Sequence, residues 1–179
     1  MRSGAITRSV GAGAILAAIA TLGSFLAPGP VYWWAVAAAA LRAAVLVGLG
    51  HDMAIHVGAW RMRWFAYAAA VLEVAFIVLT LLHIPVEAHM GVADAVPGAS
   101  PQGVEVGFAV WLLYGLVTFA LGVATVGAAR YRAFGALTIG AGVAWLLVLG
   151  ILLWPFIVAA ALLALAYRLL RPSIAAAAG

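Results

Sequence analysis

The sequence contains no cysteine and no lysine, and only 8% of its 179 residues are charged. Without cysteine there are no disulfides, no thiolate metal sites and no cysteine nucleophile, and the redox compartment stays undetermined. Without lysine there is no Schiff-base chromophore of the retinal type, because that bond needs an amine. The charge content is far below the roughly one quarter of a soluble domain, and no polar stretch is long enough to enclose a soluble core. A phosphate-binding glycine loop after a strand, a nucleophile elbow and an HExxH helix are also missing. Gly11 and Gly13 lie inside an apolar run and read as packing. Nothing here specifies a reaction.

Apolar residues are what the chain has in abundance: 68% of it is hydrophobic and the mean hydropathy is +1.22. Runs of roughly 20 apolar residues recur along the whole length, the mark of a multi-pass membrane protein. The expected spans are 10–27, 31–50, 64–84, 105–128, 134–149 and 155–170, forming one integral membrane domain over 1–179. The last two come from one apolar stretch, Phe134 to Leu170, of 37 residues. As a single helix it would be ~55 Å long, against a hydrocarbon core of ~30 Å. It must turn, and Gly150 to Pro155 is the place, since Pro155 donates no backbone hydrogen bond and biases Trp154 away from helix.

The connections are expected at Pro28-Gly29-Pro30, at His51–Arg63 and at Val86–Val104, the longest and most polar. Basic Arg2 and Arg8 before an apolar run also describe a cleaved signal peptide. The length of the run and the turn that follows favour a retained helix. Small residues at Gly13, Ala17, Ala20 and Ser24, and at Ala120, Ala124 and Ala128, suit close helix contact.

Arginines fix the orientation. Arg2, Arg8, Arg61, Arg63, Arg130, Arg132, Arg168 and Arg171 all fall on one side of a six-span topology, while Glu87, Asp94 and Glu105 fall on the other. That places both termini in the cytoplasm. The net charge of +4 and pI near 10.1 are therefore topology signals rather than a nucleic-acid surface. The expected location is the plasma (inner) membrane.

Two charges remain inside spans. Arg42 is the twelfth residue of its span and Glu73 the tenth of the next, ~16 Å and ~14 Å deep from opposite faces by helical rise. A lone charge at mid-membrane costs about 2.5–3.5 kcal/mol, which a pair at equal depth offsets. Arg42 shares its helical stripe with Ala35, Ala38 and Ala39, and Glu73 shares its own with Ala66, Ala69, Ala70 and Thr80. Both stripes face inward on this reading. Tyr114 and Thr118, four residues apart on the fourth span, are the expected hydrogen-bond partners. The group forms either a static pair that fixes helix register or a ligand or proton site.

The four histidines divide between the two ends, so a bis-histidine haem within the chain is not expected, and neither is any other cofactor. His83, Glu87 and His89 have metal-ligand chemistry, but Pro85 breaks the helix that would align them, and interfacial polar residues are the plainer reading. His51, Asp52 and His56 form a candidate polar cluster at the inner rim, where capping and headgroup contacts are expected, with Asp52 orienting a histidine as the alternative.

The expected fold is thus an all-α, six-span transmembrane helical bundle. The function that fits the small size and small-residue faces is an accessory or structural subunit of a membrane complex. Its partners are the lipid bilayer and other membrane subunits or further copies of the chain. The alternative is a small carrier or channel using the Arg42/Glu73 cluster. A third reading, an enzyme acting on a lipid or quinone, is less favoured because few polar groups converge.

Overall fold

The structure is a computed structural model, and it describes residues 2–26, 31–56, 62–82, 101–147 and 152–171. All regular structure among these residues is α-helical: α1 (Arg2–Leu26), α2 (Val31–His56), α3 (Met62–Leu81), α4 (Pro101–Val126), α5 (Arg132–Leu146) and α6 (Trp154–Leu170). Four of these helices, α1 to α4, are long and apolar enough to cross a membrane; α5 and α6 are shorter, at 15 and 17 residues.

Several helices outrun the apolar segments that announce them. α1 begins at Arg2 rather than at residue 10, and α4 at Pro101 rather than at Glu105. Proline is suited to a first helical turn, where its missing N–H has no partner to lose. α2 continues through His56, so His51–His56 is helix rather than loop. Hydropathy marks where a chain is apolar, whereas a helix lasts as long as its backbone bonds and its side chains can be satisfied. Around Asp52 neighbouring segments supply that satisfaction. The long apolar stretch is indeed interrupted: α5 ends at Leu146, Leu147 is extended, and Pro155 lies in the first turn of α6. The expected turn at Pro28–Pro30 and most of the Val86–Val104 connection lie outside the described residues, as do residues 57–61.

The helices form a closed ring. Each packs antiparallel on the next, and α6 returns to pack on α1. Phe25 meets Phe156 edge-on at 5.5 Å, while at the other end of the same helices a Cβ on Gly11 would lie 2.8 Å from Leu170 Cγ. Small side chains line the interior: Ala14, Ala17 and Ala18 of α1, Ala38 and Ala39 of α2, Ala66 and Ala69 of α3, and Ala159 and Ala161 of α6 are all buried. Large apolar side chains such as Leu16, Val47, Val71, Leu113 and Leu163 point outward. The antiparallel order brings the start of α1 and the ends of α2, α4 and α6 to one end of the bundle, which carries Arg8, Arg63, Arg130, Arg132, Arg168 and Arg171. We refer to it as the arginine end.

The seams differ in closeness. α4 and α5 share the most extensive interface, whereas α3–α4 and α5–α6 are the least extensive around the ring. A Cβ on Gly122 would lie 2.5 Å from the backbone nitrogen of Ile139, and one on Gly135 2.5 Å from that of Val126. Here two backbones touch, which only glycine permits. These glycines, rather than Ala120, Ala124 and Ala128, which are half-buried or less, bring α4 and α5 together.

Candidate functional site

Arg42 and Glu73 occupy inward faces of α2 and α3, at 6% and 1% exposure. The antiparallel seam sets them level, and they join in a bidentate ion pair. Arg42 Nε donates to Glu73 Oε1 at 2.7 Å and Nη2 to Oε2 at 2.8 Å. Two parallel charge-assisted bonds match the guanidinium fork to the carboxylate. Tyr114 of α4 donates its hydroxyl to Glu73 Oε1 at 2.6 Å. The remaining nitrogen, Arg42 Nη1, donates to Thr21 Oγ1 of α1 at 3.0 Å, and the Thr21 hydroxyl donates in turn to the Ala17 carbonyl at 2.7 Å. Four helices thus meet at one charge pair, in which all three guanidinium nitrogens and both carboxylate oxygens are hydrogen-bonded.

An aromatic layer caps the pair on the side away from the arginine end. The Trp154 ring of α6 lies 5.3 Å from the Arg42 guanidinium, an attractive cation–π distance. Trp154 packs against Trp145 at 4.7 Å, Trp145 against Tyr114 at 5.0 Å, and the Trp145 indole N–H donates to the Trp111 carbonyl at 2.9 Å. The Trp154 indole N–H is buried and has no hydrogen-bond partner among the described residues.

On the other side of the pair lies a cavity of about 50 Å³, lined by Arg42, Glu73, Tyr114, Thr118 and Thr138 and floored by Leu46, Leu121 and Phe134. That is room for a few water molecules. Thr118, expected beside Tyr114, is a wall of this cavity rather than a bonding partner of the pair. Thr138 of α5 is buried and donates to the Phe134 carbonyl at 2.7 Å.

A second buried carboxylate sits nearer the arginine end. Asp52 is 1% exposed. Its Oδ1 accepts from Thr7 of α1 at 2.6 Å, and its Oδ2 accepts from Tyr131, the residue just before α5. Arg130 Nε lies 3.3 Å from Oδ2, and His56 Nδ1, one turn along α2, lies 3.1 Å from Oδ1. Burial, and then the bond to Asp52, pushes the Tyr131 hydroxyl well above the usual tyrosine range, so it remains a proton donor. The expected rim cluster is therefore corrected in membership. Asp52 and His56 belong together, His51 is exposed and stands apart, and Thr7, Arg130 and Tyr131 complete the group.

Thr21, Trp154, Thr7 and Tyr131 were not singled out from the sequence. The signal for the threonines is present: Thr7, Ala14 and Thr21 recur at seven-residue spacing, one stripe of α1, and all three are buried. Arg130 and Tyr131 were hidden by their role as a topology marker. Among the described residues no three histidine or acidic side chains converge to hold a metal, and His83, Glu87 and His89 lie outside the described residues. No protein-family model matches the chain, and neither the curated proteins nor the solved structures compared with it give a match.

Proposed function

We propose that the chain is an integral membrane protein of six spans in the plasma (inner) membrane, with both termini cytoplasmic, acting as a small carrier for protons or a small ion. Insertion is supported by the four long apolar helices and by outward faces of large apolar residues. Orientation is supported by the gathering of arginines at one end. α5 and α6 are ~22 Å and ~26 Å long by helical rise, a shortfall that local thinning and flanking residues accommodate.

The observation that carries the carrier reading is the cavity against the Arg42–Glu73 pair. It is central, the buried pair borders it together with Tyr114, Thr118 and Thr138 in an otherwise apolar wall, and the ring of helices around it is closed. Ionisable residues inside a membrane that border an interior cavity are typical of ion and proton pathways. Its size limits the occupant to a proton, water or a small ion unless the helices move. The test is flux into proteoliposomes, with a pH-sensitive dye and with ion-selective readouts. Either single variant is expected to lower folded yield, because it strands a buried charge, so the deciding sample is the Arg42→Gln/Glu73→Gln double variant, which should fold and show no flux. If the folded double variant carries flux at the wild-type rate, the pair is structural and the carrier reading fails.

The subunit reading keeps one observation of its own. A groove of about 430 Å³ opens between α1 and α2, lined by Ala5, Ser9 and Ala44 with the larger Ile6 and Leu41. A shallow groove with small residues along it admits a partner helix. Native mass spectrometry of gently extracted protein, with an absorption spectrum of the same sample, separates the two. Extra protein mass in fixed ratio identifies a subunit; a bare polypeptide does not.

A further inference from the structure

The uneven seams divide the ring into two bodies. α6, α1, α2 and α3 are joined in series by extensive interfaces, and α4 with α5 by the glycine-mediated contact of backbone on backbone. Between these bodies run the two least extensive seams, α3–α4 and α5–α6. The central cavity lies on that division: Arg42, Leu46 and Glu73 line it from one body, and Tyr114, Thr118, Phe134 and Thr138 from the other. An element that moves should separate where packing is thinnest and stay intact where backbones interlock.

Among the described residues, polar bonds cross the division at two levels. At mid-height Tyr114 donates to Glu73. At the arginine end Tyr131 donates to Asp52 and Arg130 lies 3.3 Å from the same carboxylate. Asp52 is six residues beyond Leu46 on α2, ~9 Å by helical rise, and Tyr131 is one turn before Phe134. The Asp52 cluster therefore stands directly beyond the floor of the cavity. Its remaining partners, Thr7 and His56, belong to Asp52's own body.

We infer that the α4–α5 hairpin is a rigid element that swings against the other four helices, and that Asp52 with Tyr131 and Arg130 is the latch closing the central cavity at the arginine end. This rests on the reading of that cavity as a transport site, and supplies its cytoplasmic gate. The carboxylate accepts on both sides of the division, so breaking the Tyr131 side frees the hairpin, while breaking the Thr7 side leaves the latch closed.

The chain has no cysteine, so a single cysteine reports without background. Thr138→Cys, and separately Thr118→Cys, places a thiol in the cavity wall. In nanodiscs, which expose both ends, a small charged thiol reagent should react slowly with either reporter. Adding Tyr131→Phe or Asp52→Asn should raise the rate about tenfold or more, the equilibrium shift expected from losing a bond to a charged group. Adding Thr7→Val should leave it near the starting value, although the same carboxylate loses a hydroxyl. Tyr131→Phe removes one oxygen and serves if Asp52→Asn does not fold. The proposal is overturned if the reporter is already fast without these changes, if neither latch variant accelerates it, or if Thr7→Val accelerates it as much. The readout needs no substrate. A working latch with no flux refutes the carrier and keeps the gate; flux with an unresponsive reporter does the reverse.

Discussion

Glu73 and Asp52 are equally buried, at 1% exposure each, yet they are held by different kinds of partner. Glu73 lies at the middle of the bundle and takes a bidentate arginine, with one tyrosine completing the shell. Asp52 lies near an end, and its closest donors are two neutral hydroxyls, with Arg130 and His56 at longer range. Those two cations are partly exposed, with side-chain exposures of 35% and 29%. Depth explains the contrast. Deep in the bundle a carboxylate needs a full countercharge in good geometry. Near the end the carboxylate is no less buried, but its cations reach solvent, so hydroxyl donors hold it at close range and the cations share themselves with water. The central pair is thus the more tightly held, and the end cluster is built so that single bonds can be exchanged.

The largest effect should come from splitting the central pair. Glu73→Gln or Arg42→Gln leaves one buried charge without its partner, a loss of about 3–5 kcal/mol. The double variant should recover most of it, because both desolvated charges are gone. Thermal unfolding in detergent, read as a double-mutant cycle, measures this. Additive losses would show that the two residues are not coupled, and the distinction between a tightly held pair and an exchangeable cluster would collapse.

Next in size are changes to the hairpin that presents both tyrosines. A Cβ at Gly122 or Gly135 would meet backbone atoms at 2.5 Å, so main chain must move. We expect Gly122→Ala to cost about 1–3 kcal/mol. At Gly140 the nearest atom is Ile157 Cγ2 at 3.8 Å, so Gly140→Ala should be stabilising by about 0.5–1 kcal/mol through helix propensity. Comparable losses at the two positions would mean that α4 and α5 are not interlocked.

Tyr131 sharpens the contrast from the other side. Its folded-state proton affinity is raised above the ordinary value near 10. Such a group stabilises the fold fully below the unfolded value and loses that contribution as pH rises through the folded one. Stability should therefore fall from about pH 10 upward. Tyr131→Phe should lower stability at neutral pH by about 1–3 kcal/mol and flatten the alkaline decline. An alkaline limb unchanged by the substitution would show that the Asp52 bond does not hold this proton.

How much of this the sequence reveals follows the same division. The central pair is legible because both of its charges interrupt apolar runs, and helical rise alone sets Arg42 and Glu73 at matching depth. Tyr114 is legible from its depth on α4. The end cluster is not. Asp52 sits among histidines in a stretch that composition marks as a loop, and its partners come from residues 7, 130 and 131, brought together only by ring closure. Thr21 and Trp154 share that difficulty, since neither reaches Arg42 unless α1 and α6 flank it. Helix ends escape hydropathy wherever polar residues continue a helix, at 2–9, 51–56 and 101–104. Hydropathy is silent about a polar turn whose side chains find partners elsewhere.

The smallest expected effect separates the two histidines that sequence grouped with Asp52. His51 is exposed and outside the cluster, so His51→Ala should change stability by less than about 0.5 kcal/mol. His56 Nδ1 lies 3.1 Å from both the Asp52 carboxylate and the Asp52 backbone carbonyl, but its side chain is 29% exposed. Screening limits such a contact to about 0–1 kcal/mol. It is also an interaction within α2, on one side of the proposed latch. His56→Ala should therefore lower stability slightly and leave the reactivity of a Thr138→Cys reporter unchanged, whereas Arg130→Gln, whose side chain crosses the division, should raise that reactivity at a similar stability cost. If the histidine opens the cavity as readily as the arginine does, the gate responds to total charge around Asp52 rather than to the bonds that tie one body to the other.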